Sequence, residues 1–328
     1  MTDKNLSINM VTTPISQTSR WAEVDRATLL VIALLALAPL IAPEHFLSEL
    51  TRTAIYGLAA CAVGFAIRHG RMVSFGHAAF FGLGAYAVLI ARNLGLEDAI
   101  AVVPFALILV AIVALGIGFL SLRTRGVAFI MITLGFAQMV FFIISSMQSL
   151  GASDGLALVG RNTLFGLSTE STITFHYITL AVLILGLMVM MRISASPAGM
   201  ALKGIAADER RLRALGFASQ QLLLSTFVLS AVLTGFAGVL TANFYYFVSP
   251  AYLHWLVSGE LLVMIAIGGI ATLSGGLYGA IVLIIAEAIL SQYTSYWRIL
   301  LGPAVILSVL YLRNGLHPAI NRLLGGKS

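Results

Sequence analysis

A chain of 328 residues that is 59% apolar and only 10% charged, with a mean hydropathy of +1.00, has too few polar groups to clothe a water-soluble domain, where about a quarter of residues are charged. The net charge of +6 comes from basic residues dispersed along the chain rather than gathered on one aromatic-lined face, which argues against nucleic acid as a partner. The single cysteine, Cys61, allows no intrachain disulfide and reads as a small packing residue.

In chain order, residues 1–26 are polar and rich in Ser and Thr, without a cleavage site ahead of the first apolar run, and are expected to form a cytoplasmic tail. The run ATLLVIALLALAPLIAP (27–43) has no polar face. It begins a series that reads as membrane-spanning helices, because unpaired backbone in hydrocarbon costs several kcal/mol and the runs lack the alternation of barrel strands. Ten segments are predicted, at roughly 27–42, 51–67, 75–91, 99–121, 126–147, 176–192, 219–244, 258–272, 276–291 and 300–313. The fold class is therefore all-α, a polytopic transmembrane helical bundle with one membrane domain over 27–313 and a C-terminal tail over 314–328. Segments eight and nine, at about 15 and 16 residues, reach roughly 24 Å against a hydrocarbon core of about 30 Å, so they read as broken or re-entrant pieces.

Orientation follows from the basic residues. In this ten-segment arrangement 15 of the 19 Lys and Arg fall on one side, and only Arg52, Arg92, Arg161 and Arg298 on the other. Cytoplasmic loops accumulate Lys and Arg, so both termini are expected in the cytoplasm. Glu44, Glu49, Glu97, Asp98, Asp154 and Glu170 lie on the poorly basic side.

Glycine is concentrated in FGHAAFFGLGAY (75–86) and IGGIATLSGGLYGA (267–280), each beside a short segment. Two readings stand. Small-xxx-small spacing, as in Ala60 to Gly64 or Gly275 to Gly279, lets helices pack closely. Alternatively, the glycines mark helix breaks whose freed backbone groups face a polar solute. Candidate pathway residues on the second reading are Gly76, His77 and Gly82 in the first cluster and Gly268, Gly269 and Thr272 in the second. Intramembrane polar residues add Gln138 in segment five, Glu260 beside Trp255 at the start of segment eight, and Glu287 as the deepest carboxylate. For each, a structural hydrogen bond is the competing explanation.

Of the two longest loops, 148–175 is rich in Gly, Ser and Thr, whereas 193–218 carries the densest basic charge. Within the second, SPAGMALKGIAADERRLRALGF (196–217) opens with Ser196 as an N-cap before Pro197 and closes on Gly216, the signals of a capped helix or helix pair. Leu202, Ile205, Leu212 and Leu215 fall on one face at helical spacing, and Asp208 is placed to cap a second short helix. From these features alone an ordinary basic loop, an interfacial helix and a protein-docking helix all remain open.

This loop resembles the coupling loop of ABC importer permeases, specifically the branched-chain amino acid permease family with its LivM-like subunits, in its Ser-Pro-x-Gly start, acidic pair and late Gly. Those positions here are Ser196, Pro197, Gly199, Asp208, Glu209 and Gly216. The resemblance extends in order through RHGRMVSFGHAAFFGLGAY (68–86), RTRGVAFIMITLGFAQMV (123–140) and VSPAYLHWLVSGELLVMIAIGGIATLSGGLYGA (248–280). One departure is that the family usually carries Arg and a carboxylate just before the acidic pair, where this chain has Ala206 and Ala207.

The resemblance implies a multi-pass subunit of the bacterial inner membrane that carries branched-chain or related amino acids. It also implies a heterodimer with a second permease, two cytoplasmic ATP-binding subunits and an extracytoplasmic solute-binding protein. ATP would sit on the partner subunits, with no cofactor or metal on this chain, and coupling would pass through Ser196, Pro197, Gly199, Ile205, Asp208, Glu209, Leu212 and Gly216. Urea, amides and aromatic acids are alternative solutes within the family, and an ion-coupled transporter using Glu287 is the alternative outside it. An embedded enzyme is disfavoured, since His45, His69, His77, His176, His254 and His317 show no metal-ligand spacing. The C-terminal NRLLGGKS lacks the first glycine and the preceding strand of a phosphate loop.

Overall fold

The computed structural model describes residues 26–41, 43–166 and 168–293, together with Gly302 and Leu316. Those two residues apart, the tenth predicted segment, both terminal tails and hence the side on which the termini lie fall outside the described residues.

The other nine predicted segments are helices. They are α1 (Arg26–Ile41), α2 (Glu44–Gly70), α3 (His77–Asn93), α4 (Ala99–Ser121), α5 (Val127–Ser146) and α6 (Thr172–Ser194), followed after α7 (Pro197–Ala214) by α8 (Ser219–Tyr245), α9 (Trp255–Gly268) and α10 (Gly275–Tyr293). By length and composition α2, α4, α5, α6, α8 and α10 are able to cross a membrane. With 14 residues α9 is shorter than a span, as its sequence led one to expect, but α10 extends to 19 residues and is not a short piece. The second segment also starts seven residues earlier than predicted, because Glu44 follows Pro43 in the N-cap position and opens the helix. Arg52, at the edge of the predicted segment, therefore lies in the third turn of α2.

Helices α2 and α8 form the centre. One apolar cluster joins α8 to α3 and α4, and a second joins α2 to α6, α9 and α10. The outward faces of α4 and α5 are apolar and exposed, with Ile112 and Phe142 each 64% accessible, a surface suited to lipid rather than water.

Small residues set the helix spacing. A Cβ on Gly84 would collide with the Gly235 carbonyl, and one on Gly238 with the Phe81 carbonyl, so α3 and α8 touch backbone to backbone. Gly276 of α10 lies in the same way against Ala60 and Cys61 of α2. The small-residue spacings are thus packing seams, and Cys61 is buried within one of them.

At the end of the bundle opposite α7, the 148–171 connection is tightly organised. Leu156–Ala157 pairs antiparallel with Phe247–Val248. Arg161 donates to the carbonyls of Asn243, Thr169, Glu170 and Ser171, and Arg92 donates to those of Val159 and Gly160 at 2.9 Å each.

Candidate functional site

Two regions gather the residues that the sequence singled out. The first is a set of helix ends inside the bundle. After α2 stops at Gly70, residues 71–76 run without regular structure, with Met72, Ser74 and Gly76 buried, and α3 starts at His77. Ser230 of α8 donates to the Ala62 carbonyl at 2.6 Å and lies 2.9 Å from His77 Nε2. With its only proton committed to Ala62, the Ser230 hydroxyl accepts from His77. Ser258 of α9 donates to the Phe75 carbonyl at 2.8 Å and accepts from the Ala78 N–H at 2.7 Å, which supplies the start of α3 with a partner from another helix.

The α9–α10 break lies nearby. Gly269 has φ of +107°, a conformation glycine adopts freely, and a Cβ on Gly268 would collide with the Gly275 carbonyl. In the connection Thr272 Oγ1 is buried without a hydrogen-bond partner, while Ile270 is 47% exposed. At 1.5 Å per residue, Ala60 and Ala62 lie about 24 and 27 Å along the roughly 40 Å of α2. Gly276 at the start of α10 packs against Ala60, and the start of α3 is joined to Ala62 through Ser230, so both helices begin well inside the bundle.

The remaining candidates divide. Gly82 is a packing position, since a Cβ there would meet the Leu253 side chain. Gln138 is half-buried on α5, and its Nε2 has no partner. Glu260 lies in the second turn of α9 rather than at its start, and it is exposed. Glu287 is not the isolated deep carboxylate that the sequence suggested. It receives a 2.8 Å ion pair from Arg52, which lies about 12 Å from the N-terminal tip of α2 and also approaches Glu49 at 3.5 Å. With α2 beginning at Glu44, Arg52 lies in its third turn and reaches Glu287 on α10.

The second region is α7. Ser196 accepts from the Gly199 N–H at 3.3 Å with Pro197 in the first turn, as the capping signals required. A Cβ on Gly199 would strike the Ser194 carbonyl, so the tight α6–α7 corner needs glycine. Leu202 and Ile205 are buried against the bundle. At Asp208 the backbone leaves the helix (φ −154°, ψ 96°), and its side chain accepts from the Arg211 N–H at 3.1 Å, starting a second helical piece. Leu212 still turns inward and packs beside Gly204, but the kink rotates Leu215 out of the expected stripe, leaving it 69% exposed. Gly216, at φ +87°, follows the helix end as predicted. Ala207 is exposed and Ala206 half-buried.

Glu209 turns toward its own chain. It pairs with Arg125 of the α4–α5 turn at 2.5 Å and with Arg213 at 2.7 Å, while Arg213 Nε donates to Ser219 at the start of α8. Arg125 was not among the predicted site residues, although the RTRG stretch that contains it was among those carrying the family resemblance. Ser230 and Ser258 gave no signal at all, since serines in apolar helices are ordinary.

The family described as "Branched-chain amino acid transport system / permease component" matches residues 46–310. The high-affinity branched-chain amino acid transport system permease protein LivM of Escherichia coli K12 is 26% identical over 320 residues, covering 88% of this chain and 75% of the relative. LivH of the same organism is 28% identical over 165 residues, covering 50% of this chain and 53% of LivH. BraD of Pseudomonas aeruginosa is 25% identical over 264 residues, covering 74% and 86% respectively. No solved structure matches. The match over most of the chain, on a bundle with six span-length apolar helices, makes it a multi-pass membrane transport component rather than an enzyme, and the chain belongs to the branched-chain amino acid permease family.

Proposed function

We propose that the chain is one of two sister permeases in an ATP-driven importer of the bacterial inner membrane, carrying branched-chain or related amino acids that an extracytoplasmic binding protein delivers. The observation that carries this reading is α7, a doubly capped, kinked helix that buries Leu202 and Ile205 and is tied through Glu209 to Arg125. A helix held this way moves as a unit with α6, α8 and the α4–α5 turn, so a push from an ATPase on its exposed side reaches the spanning helices. Similarity to both LivM and LivH supports pairing with a second permease.

In this assembly the basic end is cytoplasmic, in keeping with the distribution of Lys and Arg. Ser196, Pro197, Gly199, Ile205, Asp208, Glu209, Leu212 and Gly216 shape the coupling helix. Gly76, His77, Gly268, Gly269 and Thr272 shape the helix breaks that face the solute route, and Glu260 and Glu287 belong to its outer half. Gln138 completes the wall. ATP is bound by the two partner subunits.

Reconstitution of the chain with candidate sister permease, ATPases and binding protein tests the proposal. Leucine uptake should require ATP and binding protein and should be indifferent to ionophores. Uptake that persists without ATP and collapses with the ion gradient would overturn it in favour of an ion-coupled carrier.

A further inference from the structure

We infer that the cleft between α7 and the α4–α5 turn binds the phosphate of an anionic phospholipid. The cleft encloses about 470 Å³, and its lining includes Arg123, Arg125, Arg210 and Arg213 with one carboxylate, Glu209. Glu209 is engaged by Arg125 and Arg213, so four guanidinium groups share a single negative charge. Arg123 lies over the Phe119 ring, 4.8 Å from its centroid, which holds the guanidinium at the rim of the cleft. Guanidinium forks match phosphate oxygens in geometry, and a cleft with this surplus of cations attracts an anion before any contact forms.

The neighbouring surface identifies the source of the phosphate. On α4, Phe119 is 50% and Leu120 49% exposed, and on α5, Val127 is 69% and Met131 58% exposed. These apolar residues flank the turn that carries Arg123 and Arg125, at the ends of two helices that are able to cross a membrane. A lipid with its phosphodiester in the cleft would lay its chains along this strip, whereas a free anion would leave it unused. The bound headgroup would bridge the α4–α5 turn and the second half of α7, reinforcing the Glu209–Arg125 link. The basic end being cytoplasmic is part of the functional proposal; lipid binding itself is independent of transport and is measured separately.

The test uses the full chain, purified with the subunits that accompany it, in phosphatidylcholine nanodiscs. Its thermal unfolding midpoint is followed as phosphatidylglycerol replaces phosphatidylcholine. The midpoint should rise with phosphatidylglycerol. Arg123→Gln and Arg210→Gln should each weaken the apparent affinity about five-fold and together about thirty-fold, corresponding to ~1 kcal/mol per guanidinium near a membrane surface. Arg211→Gln, on the same helix but outside the cleft lining, should leave the response unchanged. An undiminished response in the single variants overturns the site, and it also decides the matter if the double variant fails to fold. Inorganic phosphate in pure phosphatidylcholine reproducing the whole shift overturns the lipid assignment. If the variants impair only ATP-dependent uptake, with no change in lipid response, the cleft serves an acidic group of a partner protein and the inference fails.

Discussion

Where α3 crosses α8, backbone meets backbone at Gly84, Gly235 and Gly238; where α7 meets the bundle, Leu202, Ile205 and the Glu209–Arg125 pair make the contact. At Gly84 and Gly238 the first region has no room for an added atom and only backbone in the way. The second has a kink, exposed arginines and a half-exposed carboxylate. A transporter needs both kinds of joint, since a rigid seam transmits displacement and a weakly packed lever can be pushed without unfolding what it moves.

The contrast is broken most severely at the seam. Gly238→Val should destabilise by about 3 kcal/mol or more, because its Cβ would meet the Phe81 carbonyl rather than a side chain that can rotate away. Denaturant unfolding of the detergent-solubilised chain measures this, and a loss below about 1 kcal/mol would show that α3 and α8 separate readily. Next in size is Ser230→Ala, which leaves His77 Nε2 without its partner in a buried site and removes the second hydrogen bond to the Ala62 carbonyl, whose helical bond remains. A loss of about 1–2 kcal/mol is expected, within the range for orphaned buried groups and toward the upper end of hydrogen bonds between membrane helices.

Much of this was legible in the sequence because the strongest signals are local. Uninterrupted apolar runs gave nine described helices, and Ser196, Pro197 and Gly216 marked both ends of α7. The losses came where a local pattern met a distant partner. Helical periodicity placed Leu215 beside Leu212, and one residue of extended backbone at Asp208 undid it. Glu287 read as a lone intramembrane carboxylate because its partner Arg52 is 235 positions away, at what looked like the very end of the second segment. The order in 148–171 depends on Arg161 and Asn243 meeting across the chain, which turn propensities do not encode.

The lever is sharpened by Glu209→Gln. Removing a carboxylate shared by two exposed arginines should change unfolding free energy by less than about 1 kcal/mol, as for other surface ion pairs. Uptake should nevertheless fall about ten-fold while ATP hydrolysis continues, because α7 would no longer pull on the α4–α5 turn. Combining it with Asp208→Ala adds the loss of an N-cap, about 1 kcal/mol confined to the second piece of α7. Unchanged uptake in the double variant, with the protein folded and inserted, would remove both carboxylates from the proposed coupling site.

The smallest effect lies at the opposite end, where the comparison turns on charge rather than packing. Glu170 accepts from the Arg161 N–H and from the Tyr246 hydroxyl, each at 2.8 Å, and these bonds, the backbone one foremost, hold its carboxyl below the ordinary 4.5. A depressed carboxyl pKa contributes stability above the unfolded value and loses it as pH falls through the folded value. Acidification below about 4.5 should therefore loosen residues 156–171 before it affects the glycine seam, which contains no carboxylate. Hydrogen exchange of the loop amides, corrected for the intrinsic pH dependence, reads this directly. Glu170→Gln should raise exchange modestly at neutral pH and flatten the acid response, and an acid response of undiminished size in that variant would assign the effect to another group.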